Sequence, residues 1–390
     1  MFLAFPEFNI FSTPLLVLVS QGVLFGVLLL LRYQKKKIVS DILLALLVLI
    51  TCYHRTAYTI GFMSWYDTFR TTKINYLLIP LLLAIGPLIY FYVKSVTTSD
   101  FRFKKKELFH FVPALLFVVY RISIFSYDVF QPGFDDEQNG VLMKQLVMGP
   151  VGMVIGCFVV LQQLIYLILA LKWYYSYRGR IKDYFSNTYD LELNWIRNFL
   201  LIYTFLFVYF SVQEVVNTWF IDMSWIQKWW YQLFSALAVI YVGIKGYFTD
   251  TTKLKGLDFR INERSSFGTH NTRDTNHNGI EAKKTRLLDH MAHKKPYLNP
   301  DLNLIELAKG MKMSRAELSE AINEGFHKNF NDFINEYRVN AVKQMFLNGK
   351  QKQLSLLGIA YECGFNSKAT FNRVFKRLTQ TSPSEYIKTL

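Results

Sequence analysis

The chain of 390 residues is both strongly apolar and strongly basic: 52% of its residues are hydrophobic, 17% are aromatic, and its net charge is +15. A single soluble domain seldom combines these properties, so the composition argues against an ordinary globular protein. Residues 1–250 hold 21 Lys and Arg against 15 Asp and Glu, whereas residues 251–390 hold 23 against 14. Because the charges of the first part lie mostly between long apolar runs, we expect a membrane domain followed by a basic soluble tail.

Seven apolar runs within residues 1–248 are long enough to cross a bilayer, which takes about 20 residues of helix. The first run has no basic leader and no clear cleavage site, so we interpret it as a span and not as a signal peptide. Arg121 interrupts the fourth run, and a count of six or eight spans stays open. The predicted spans are residues 10–31, 40–63, 75–97, 108–127, 148–171, 197–218 and 227–248.

The loops between these runs alternate in charge. Basic clusters follow the first, third and fifth runs, and the three other loops are poorer in Lys and Arg. Basic loops remain on the cytoplasmic side of a membrane. The alternation therefore predicts an N-terminus outside and, with seven spans, a C-terminus in the cytoplasm. The basic clusters lie within residues 32–37, 94–106 and 172–182.

Several polar side chains fall inside the predicted spans, where burial in lipid is costly. Two interpretations stay open for them. Glu214 pairs with an arginine and holds the bundle together, or the polar groups line an outward-facing pocket for a small molecule or another envelope signal. The third span also contains Pro80 and Pro87, which predict a kink. The candidate pocket residues are Arg55, Arg121, Gln162 and Glu214.

The sequence lacks the usual patterns of catalysis. It has no Walker loop, no kinase signature and no serine-nucleophile elbow. Cys52, Cys157 and Cys363 lie too far apart for a metal-ligand pattern. We therefore expect no enzyme, no catalytic residues, no metal and no cofactor. A transporter usually shows internal repeats, and we find no clear one, although a transporter that also regulates stays open.

Residues 249–279 are polar and rich in Asn, Thr, Ser and Arg. Such a composition is typical of a flexible linker. A chain of this length has an end-to-end distance of about 30 Å. We expect it to hold residues 280–390 near the bilayer while leaving them mobile.

The tail contains a short helix, a glycine turn and a basic helix within residues 354–386. Leu357, Ile359 and Ala360 form one apolar face, and Gly364 suits a turn with positive φ. The basic helix begins at about Asn366 or Ser367, either of which can cap it. This layout is typical of a helix-turn-helix that enters the major groove of DNA. An ordinary helical hairpin has the same spacing and is the alternative.

A family resemblance favours the first interpretation. The tail from about Glu281 onward resembles AraC/XylS-type transcription regulators, which implies a bacterial protein with two helix-turn-helix units, at 303–326 and 355–378, joined by a helix at 329–347. Gln380 departs from the pattern, because the family usually has glycine there. The matching positions are Ile359-Ala360, Gly364-Phe365, Phe371, Phe375-Lys376, Ser382-Pro383 and Tyr386.

The resemblance and the chemistry of the side chains together predict DNA contacts. In the second unit, Asn372 suits adenine and Arg373 suits guanine. In the first unit, Ser314 and Glu317 form a capping box, and Glu320 either accepts from cytosine or is merely solvated. The candidate base contacts are Arg315, Ala316, Ser319, Glu320, Lys368, Ala369, Asn372 and Arg373, and the candidate phosphate contacts are Ser367, Lys376 and Arg377.

The sequence thus predicts an all-α protein in which a polytopic helical bundle is joined by a flexible linker to an all-α DNA-binding domain. We expect a multi-pass protein of the bacterial inner membrane that binds double-stranded DNA as a transcription regulator. A homodimer, or proteolysis of the linker, would carry the signal. The alternative is a membrane receptor or transporter-like protein whose tail binds a protein partner.

Overall fold

The computed structural model describes residues 5–98, 101–134, 140–188, 191–249 and 277–390, with side chains at 277–278 excepted. Throughout these ranges the chain is helical, and its only extended pairing there is one isolated bridge between Phe185 and Asn303. The all-α class is therefore confirmed. Two compact units are present: Met1–Tyr174 with Asn194–Ile261, and Tyr175–Leu193 with Asn262–Leu390. The predicted flexible linker lies almost entirely outside the described residues.

The first unit is a bundle of long helices with short helical turns between them. Its helices are α1 (Ser12–Lys36), α2 (Val39–Phe62), α3 (Trp65–Phe69), α4 (Ile74–Leu77), α5 (Leu82–Val96), a 3-10 turn (Lys105–Phe111), α6 (Val112–Asp128), a π turn (Met143–Val147), α7 (Pro150–Tyr184), α8 (Asn194–Trp219) and α9 (Trp225–Phe248). The last turns of α7 belong to the second unit.

Six segments of the described chain are long and apolar enough to cross a membrane. They correspond to the first six predicted spans. The seventh predicted span is α9, which has 24 residues and is not one of these six segments. The helix nevertheless packs against α1, α2 and α8. The six segments are Ser12–Lys36, Val39–Phe62, Ile74–Val96, Lys105–Asp128, Pro150–Tyr184 and Asn194–Trp219.

Glycines allow α1, α2 and α9 to approach closely, as is usual between helices in membranes. A Cβ added at Gly22 would lie 2.4 Å from the Cys52 sulfur, and one at Gly246 would lie 2.0 Å from a Leu44 methyl group. Arg32 then joins all three helices at one end. Its guanidinium pairs with Asp41 at 2.6 Å and donates to the Gly246 carbonyl at 3.1 Å.

The third predicted span is broken, and not merely kinked, because α4 ends at Leu77 and α5 begins at Leu82, with Pro80 between them. Side chains of α2 bind the backbone groups that the break exposes. Tyr53 donates to the Leu77 carbonyl at 3.0 Å, and His54 Nε2 accepts from the Leu81 amide at 2.8 Å. Protein groups thus satisfy the interrupted backbone, as they must inside a bilayer.

The second unit contains the C-terminal helices and residues 175–193, which we call the inner segment. Two hydrophobic clusters form its core, and α13 contributes its first half to one cluster and its second half to the other. The helices are α10 (His277–Lys294), a 3-10 turn (Pro296–Leu298), α11 (Leu304–Gly310), α12 (Arg315–Phe326), α13 (Phe330–Leu347), a 3-10 turn (Lys350–Lys352), α14 (Leu356–Glu362), α15 (Lys368–Thr379) and α16 (Pro383–Lys388).

Candidate nucleic-acid interface

The turn between α14 and α15 has the geometry of a helix-turn-helix. Gly364 has a φ of +86°, and a Cβ there would lie 2.3 Å from the Tyr297 carbonyl oxygen, so only glycine fits. The hydroxyl of Ser367 accepts from the Thr370 amide at 3.2 Å and caps α15. Ser367, a predicted phosphate contact, therefore has a clear structural role as the helix cap.

One face of α15 is buried and the other is exposed. Phe371, Val374 and Phe375 pack into the core, with at most 4% of their surface exposed. The opposite side leaves six of the seven predicted contact residues on this helix and its cap in solvent, namely Lys368, Ala369, Asn372, Arg373, Lys376 and Arg377. This helix therefore presents a row of cationic and amide donors, the groups that bind phosphates and base edges.

The helix ends where the sequence departs from the family pattern. Gln380 has a φ of 63°, in the left-handed region, and its amide donates to the Lys376 carbonyl at 2.8 Å. Glycine is favoured at this position of a helix end because it adopts that conformation without strain. Gln380 thus ends α15 in the same way, although at a conformational cost.

The first helix-turn-helix unit consists of α11 and α12. Ser314 accepts from the Glu317 amide, and the Glu317 carboxylate accepts from the Ser314 amide, so the predicted capping box is present. These hydrogen bonds lower the pKa of the exposed Glu317 carboxyl. The positive φ of this turn is at Lys312, with a value of 54°, and not at Gly310, which is the last residue of α11.

The recognition face of α12 is less open than that of α15. Ala316 is exposed, whereas Arg315, Ser319 and Glu320 are half-buried. The Glu320 carboxylate pairs with Lys283 of α10 at 2.8 Å, and this hydrogen bond raises the pKa of the lysine. That pair holds the carboxylate against α10. It therefore favours a structural role for Glu320 over a hydrogen bond to cytosine.

Arg338 of α13 contacts both the turn that precedes the first helix-turn-helix unit and a residue of the second helix-turn-helix unit. Only 1% of its surface is exposed, and its guanidinium donates to the carbonyls of Tyr297 at 2.8 Å and Asn299 at 2.7 Å. The same guanidinium lies 6.0 Å from the centre of the Phe365 ring in the second helix-turn-helix unit. Burial lowers its pKa to about 10, so the side chain stays charged at neutral pH. Arg338 therefore has a structural role, and its charge is buried and not part of the exposed basic surface.

The inner segment packs against the helix-turn-helix units through its backbone. The Ser186 amide donates to the Leu302 carbonyl at 3.2 Å, and its hydroxyl donates to the same oxygen at 2.6 Å. The Ser186 carbonyl accepts from Asn331 at 2.9 Å and from Arg338 at 3.3 Å. Asn331, Asn335 and Arg338 form a buried polar stripe on α13 that faces this segment.

Two side chains of the inner segment reach predicted base contacts. Glu192 pairs with Arg373 of α15 at 3.3 Å, and it also forms an ion pair with Arg178 at 2.6 Å. Tyr184 lies under the guanidinium of Arg315 of α12, with 5.4 Å between the guanidinium carbon and the ring centre. Burial opposes ionisation of Glu192, but Arg373, Thr188 and Arg178 together lower its pKa below the ordinary value. Arg377 is also paired, with Asp332 of α13 at 2.6 Å.

Sequence reasoning missed the inner segment. The signal available for it was the spacing of Asn331, Asn335 and Arg338, which places three polar groups on one stripe of a helix that is otherwise apolar on that side. Their partners lie about 150 residues earlier in the chain, beyond the reach of any local pattern. Among the predicted contacts, the structure brings Arg315 and Arg373 against this one segment. It leaves Lys368, Ala369, Asn372 and Lys376 exposed, and their side chains form no hydrogen bonds with the described residues.

In the helical bundle, the four candidate pocket residues do not line one common cavity. A cavity of about 320 Å³ is lined by Arg55 but by none of the other three. Arg121 is buried and donates to the Asn75 carbonyl at 2.8 Å, and Gln162 donates to the Leu83 carbonyl at 3.2 Å. Glu214 forms no ion pair with a described arginine, so the predicted pairing is not observed there.

Comparison with known proteins places a family at one end of the chain. Residues 307–389 match the family model of a helix-turn-helix domain. Over 90 residues, 23% of this chain, the sequence is 33% identical to an uncharacterized HTH-type transcriptional regulator of Haemophilus influenzae, covering 29% of that protein. Over the same length it is 31% identical to an uncharacterized HTH-type transcriptional regulator of Staphylococcus aureus (strain COL), covering 12% of that protein.

The chain thus spans less than a third of the curated relatives that it matches. No solved structure matches it. The match and the geometry agree on a helix-turn-helix domain in the C-terminal part of the chain. The six apolar segments are consistent with a membrane domain before it.

Proposed function

We propose that this protein is a membrane-bound transcription regulator that binds promoter DNA through two helix-turn-helix units and responds to a signal in its membrane domain. The observation that carries the proposal is the exposed row on α15, with Lys368, Asn372 and Lys376, on a helix whose opposite face is packed into the core. Such a row combines base-reading and phosphate-binding donors on one helix.

The membrane arrangement rests on a parity argument. The inner segment follows the fifth predicted span, at a basic loop expected in the cytoplasm, and it packs with residues 277–390 in one compact unit. The chain must then cross the membrane an even number of times between Leu193 and His277. Since α8 supplies one crossing, α9 supplies the other. This supports seven spans, an N-terminus outside and a DNA-binding domain in the cytoplasm of a bacterium.

The decisive experiment uses the full chain in lipid nanodiscs. Binding is measured to DNA selected from a random pool, over a salt series. We expect an enriched motif that spans two major-groove turns and an affinity that falls steeply with salt. Gln344→Ala, at an exposed position of α13 outside the predicted contacts, is the control and should bind this DNA as the wild type does. Salt-dependent binding with no preferred sequence would contradict the proposed regulator.

The second candidate function is a tail that binds a protein partner. The carboxylates along α12, Glu317, Glu320 and Glu324, favour it, because they repel phosphate. In that case no motif is enriched at any salt concentration, and the tail captures a protein and not DNA. A homodimer, which would raise the local concentration of two DNA-binding domains, is part of the proposal and is tested by the length and symmetry of the motif.

A further inference from the structure

The first unit contains a buried cation, Arg55, that pairs with no carboxylate of the described residues. Arg55 of α2 has 7% of its surface exposed, and one end of its guanidinium donates to Gln232 of α9. The group also lies 5.0 Å from the centre of the Tyr231 ring. Among the described residues no carboxylate pairs with it, and its Nε has no hydrogen-bond partner. A charge buried in this way is costly within a membrane domain.

A cavity adjoins this cation. Its volume of about 320 Å³ lies in the range of small-molecule sites, and most of its wall is apolar side chains of α2, α5, α8 and α9. His54 also lines it, and the Nδ1 of that ring has no partner among the described residues. Two polar groups with unused hydrogen-bonding capacity thus lie in the wall of an otherwise apolar space.

No other group in the wall can neutralise Arg55. The remaining polar lining includes Gln163, Tyr203 and Gln232, which are neutral. Tyr203 is already bonded to Gln163 at 2.9 Å. Glu214 does not line the cavity. A bound molecule can therefore supply the counter-charge that the described lining residues lack.

We propose that this cavity binds an amphiphile with one anionic group. Its carboxylate or phosphate contacts Arg55 and accepts from His54, and its hydrocarbon chain fills the apolar part. This inference rests on the membrane placement proposed above and names the class of signal. Its test needs no DNA, so its failure leaves the DNA-binding proposal intact.

The experiment measures thermal unfolding of the full chain by tryptophan fluorescence. All seven tryptophans lie in residues 65–230, so the signal reports the first unit. Decanoate is added to protein in a neutral maltoside detergent, and, separately, phosphatidylglycerol is added to nanodiscs of a neutral lipid. We expect the Tm of the wild type to rise with the anionic amphiphile, and the Tm of Arg55→Gln to stay constant. Arg121→Gln is the control, because Arg121 is buried but lies outside the cavity.

A rise with decanoate alone identifies a free acid as the ligand, and a rise with phosphatidylglycerol identifies a lipid headgroup. Equal shifts in the wild type and in Arg55→Gln, or no shift with either amphiphile, overturn the proposal. If Arg55→Gln does not fold, Gln232→Leu is used. That variant removes the one side-chain acceptor of Arg55 and leaves the cation in place, so binding is retained or tightened.

A different observation carries a second inference. The inner segment contacts one predicted base-reading arginine in each helix-turn-helix unit: Arg315 through Tyr184, and Arg373 through Glu192. The carboxylate of Glu192 occupies the position that a DNA acceptor would take at Arg373, with only 2% of the residue's surface exposed. DNA acceptors that bind these guanidinium groups therefore compete with both contacts.

We propose that Tyr184 and Glu192 compete with DNA for Arg315 and Arg373, so that the inner segment restrains the DNA-binding domain. Ser186 holds the segment in register through its bonds to Leu302 and Asn331. The segment continues directly from α7, and a change in that helix can therefore alter the restraint. This inference depends on the proposed DNA contacts.

The test compares DNA affinities of full-length variants in nanodiscs. Glu192→Gln removes the competing charge, and we expect its affinity for the selected DNA to increase roughly five- to tenfold. Glu306→Gln, the same change of charge at an exposed position of α11, controls for the general effect. In an Arg373→Ala background, Glu192→Gln should change the affinity by less than twofold, because the competed group is absent.

Hydrogen exchange provides a readout that needs no mutation. On addition of the selected DNA to the wild type, the amides of residues 184–186 and 192 should exchange faster. Equal DNA affinity of the wild type and Glu192→Gln, together with unchanged exchange, overturns the competition. Absence of DNA binding by both variants overturns the proposed function as well. Binding by Glu192→Gln alone supports both proposals.

Discussion

The side-chain amide of Gln162 donates to the backbone carbonyl of Leu83 at 3.2 Å, and this is the carbonyl that Pro87 leaves without a helical partner. In an α-helix the Leu83 carbonyl would accept from the amide four residues later, which proline lacks. A glutamine of α7 thus repairs a defect of α5. Inside a bilayer there is no water to do so.

Replacement of Gln162 by leucine should lower the stability of the first unit by about 0.6–1.7 kcal/mol, the range of hydrogen bonds between membrane helices. Thermal unfolding followed by tryptophan fluorescence measures it. In a Pro87→Ala background the same replacement should cost less, because the alanine supplies a backbone amide for the Leu83 carbonyl. Equal costs in both backgrounds would contradict the repair.

Cys363 offers a probe of the second unit. Only 1% of its surface is exposed, and burial raises its pKa to about 12. Since the thiolate is the reactive form, the raised pKa and the burial both slow the reaction of this thiol at pH 8. In a Cys52→Ala, Cys157→Ala background, we expect maleimide to label Cys363 only as urea unfolds the domain. Labelling in native buffer at the rate of a free thiol would show that the core is open.

Replacement of Gln380 by glycine should stabilise this unit by about 1 kcal/mol, because glycine adopts the left-handed conformation without the strain of a side chain. The urea dependence of Cys363 labelling measures the gain. Gln380→Ala is the matched control, since it removes the side-chain hydrogen bond to Arg377 but keeps the unfavourable φ. A gain in both variants would attribute the effect to the side chain and not to the backbone.

Arg338→Lys should destabilise the same unit by about 1–3 kcal/mol, because lysine cannot reach the carbonyls of Tyr297 and Asn299 together and leaves a buried acceptor unsatisfied. Lys343→Arg, a change in the opposite direction on the same helix, is the control and should be nearly neutral. Cys363 labelling again measures the change. An unaltered midpoint would show that the guanidinium bonds are dispensable.

On α15, substitutions should separate specificity from affinity. Asn372→Ala should cost about 1–3 kcal/mol with the selected DNA and little with scrambled DNA. Lys376→Ala should weaken both alike and reduce the salt slope by about 1. Gln344→Ala, at an exposed site of α13, is the reference. Equal losses on both DNAs for Asn372→Ala would remove it from the base contacts.

Local signals explain why the helix-turn-helix units were predictable. The capping box of Ser314 and Glu317, the turn at Gly364 and the apolar spacing of Phe371 and Phe375 each act within a few residues. Their geometry is dictated by backbone hydrogen bonding and by the helical period. The predicted helices therefore coincide with the observed ones to within a few residues.

Other features depend on partners far apart in the chain. A kink at Pro80 was predicted, but neither the break of the helix nor the use of His54 to accept from the Leu81 amide was. Likewise, Arg373 was predicted as a base contact, and nothing near it in the sequence indicated Glu192 as its partner. Long-range pairs of polar groups follow from tertiary packing, which periodicity alone does not encode.

The buried guanidinium of Arg338 has a consequence for the genes that this protein would control. One side chain binds the turn before the first helix-turn-helix unit and contacts Phe365 of the second. We therefore expect α12 and α15 to keep a fixed distance from each other. For such a regulator, we expect base-pair substitutions within either half-site to reduce DNA affinity less than a change in the spacing between the half-sites. The promoters that it binds should share two short sequence motifs at a constant spacing.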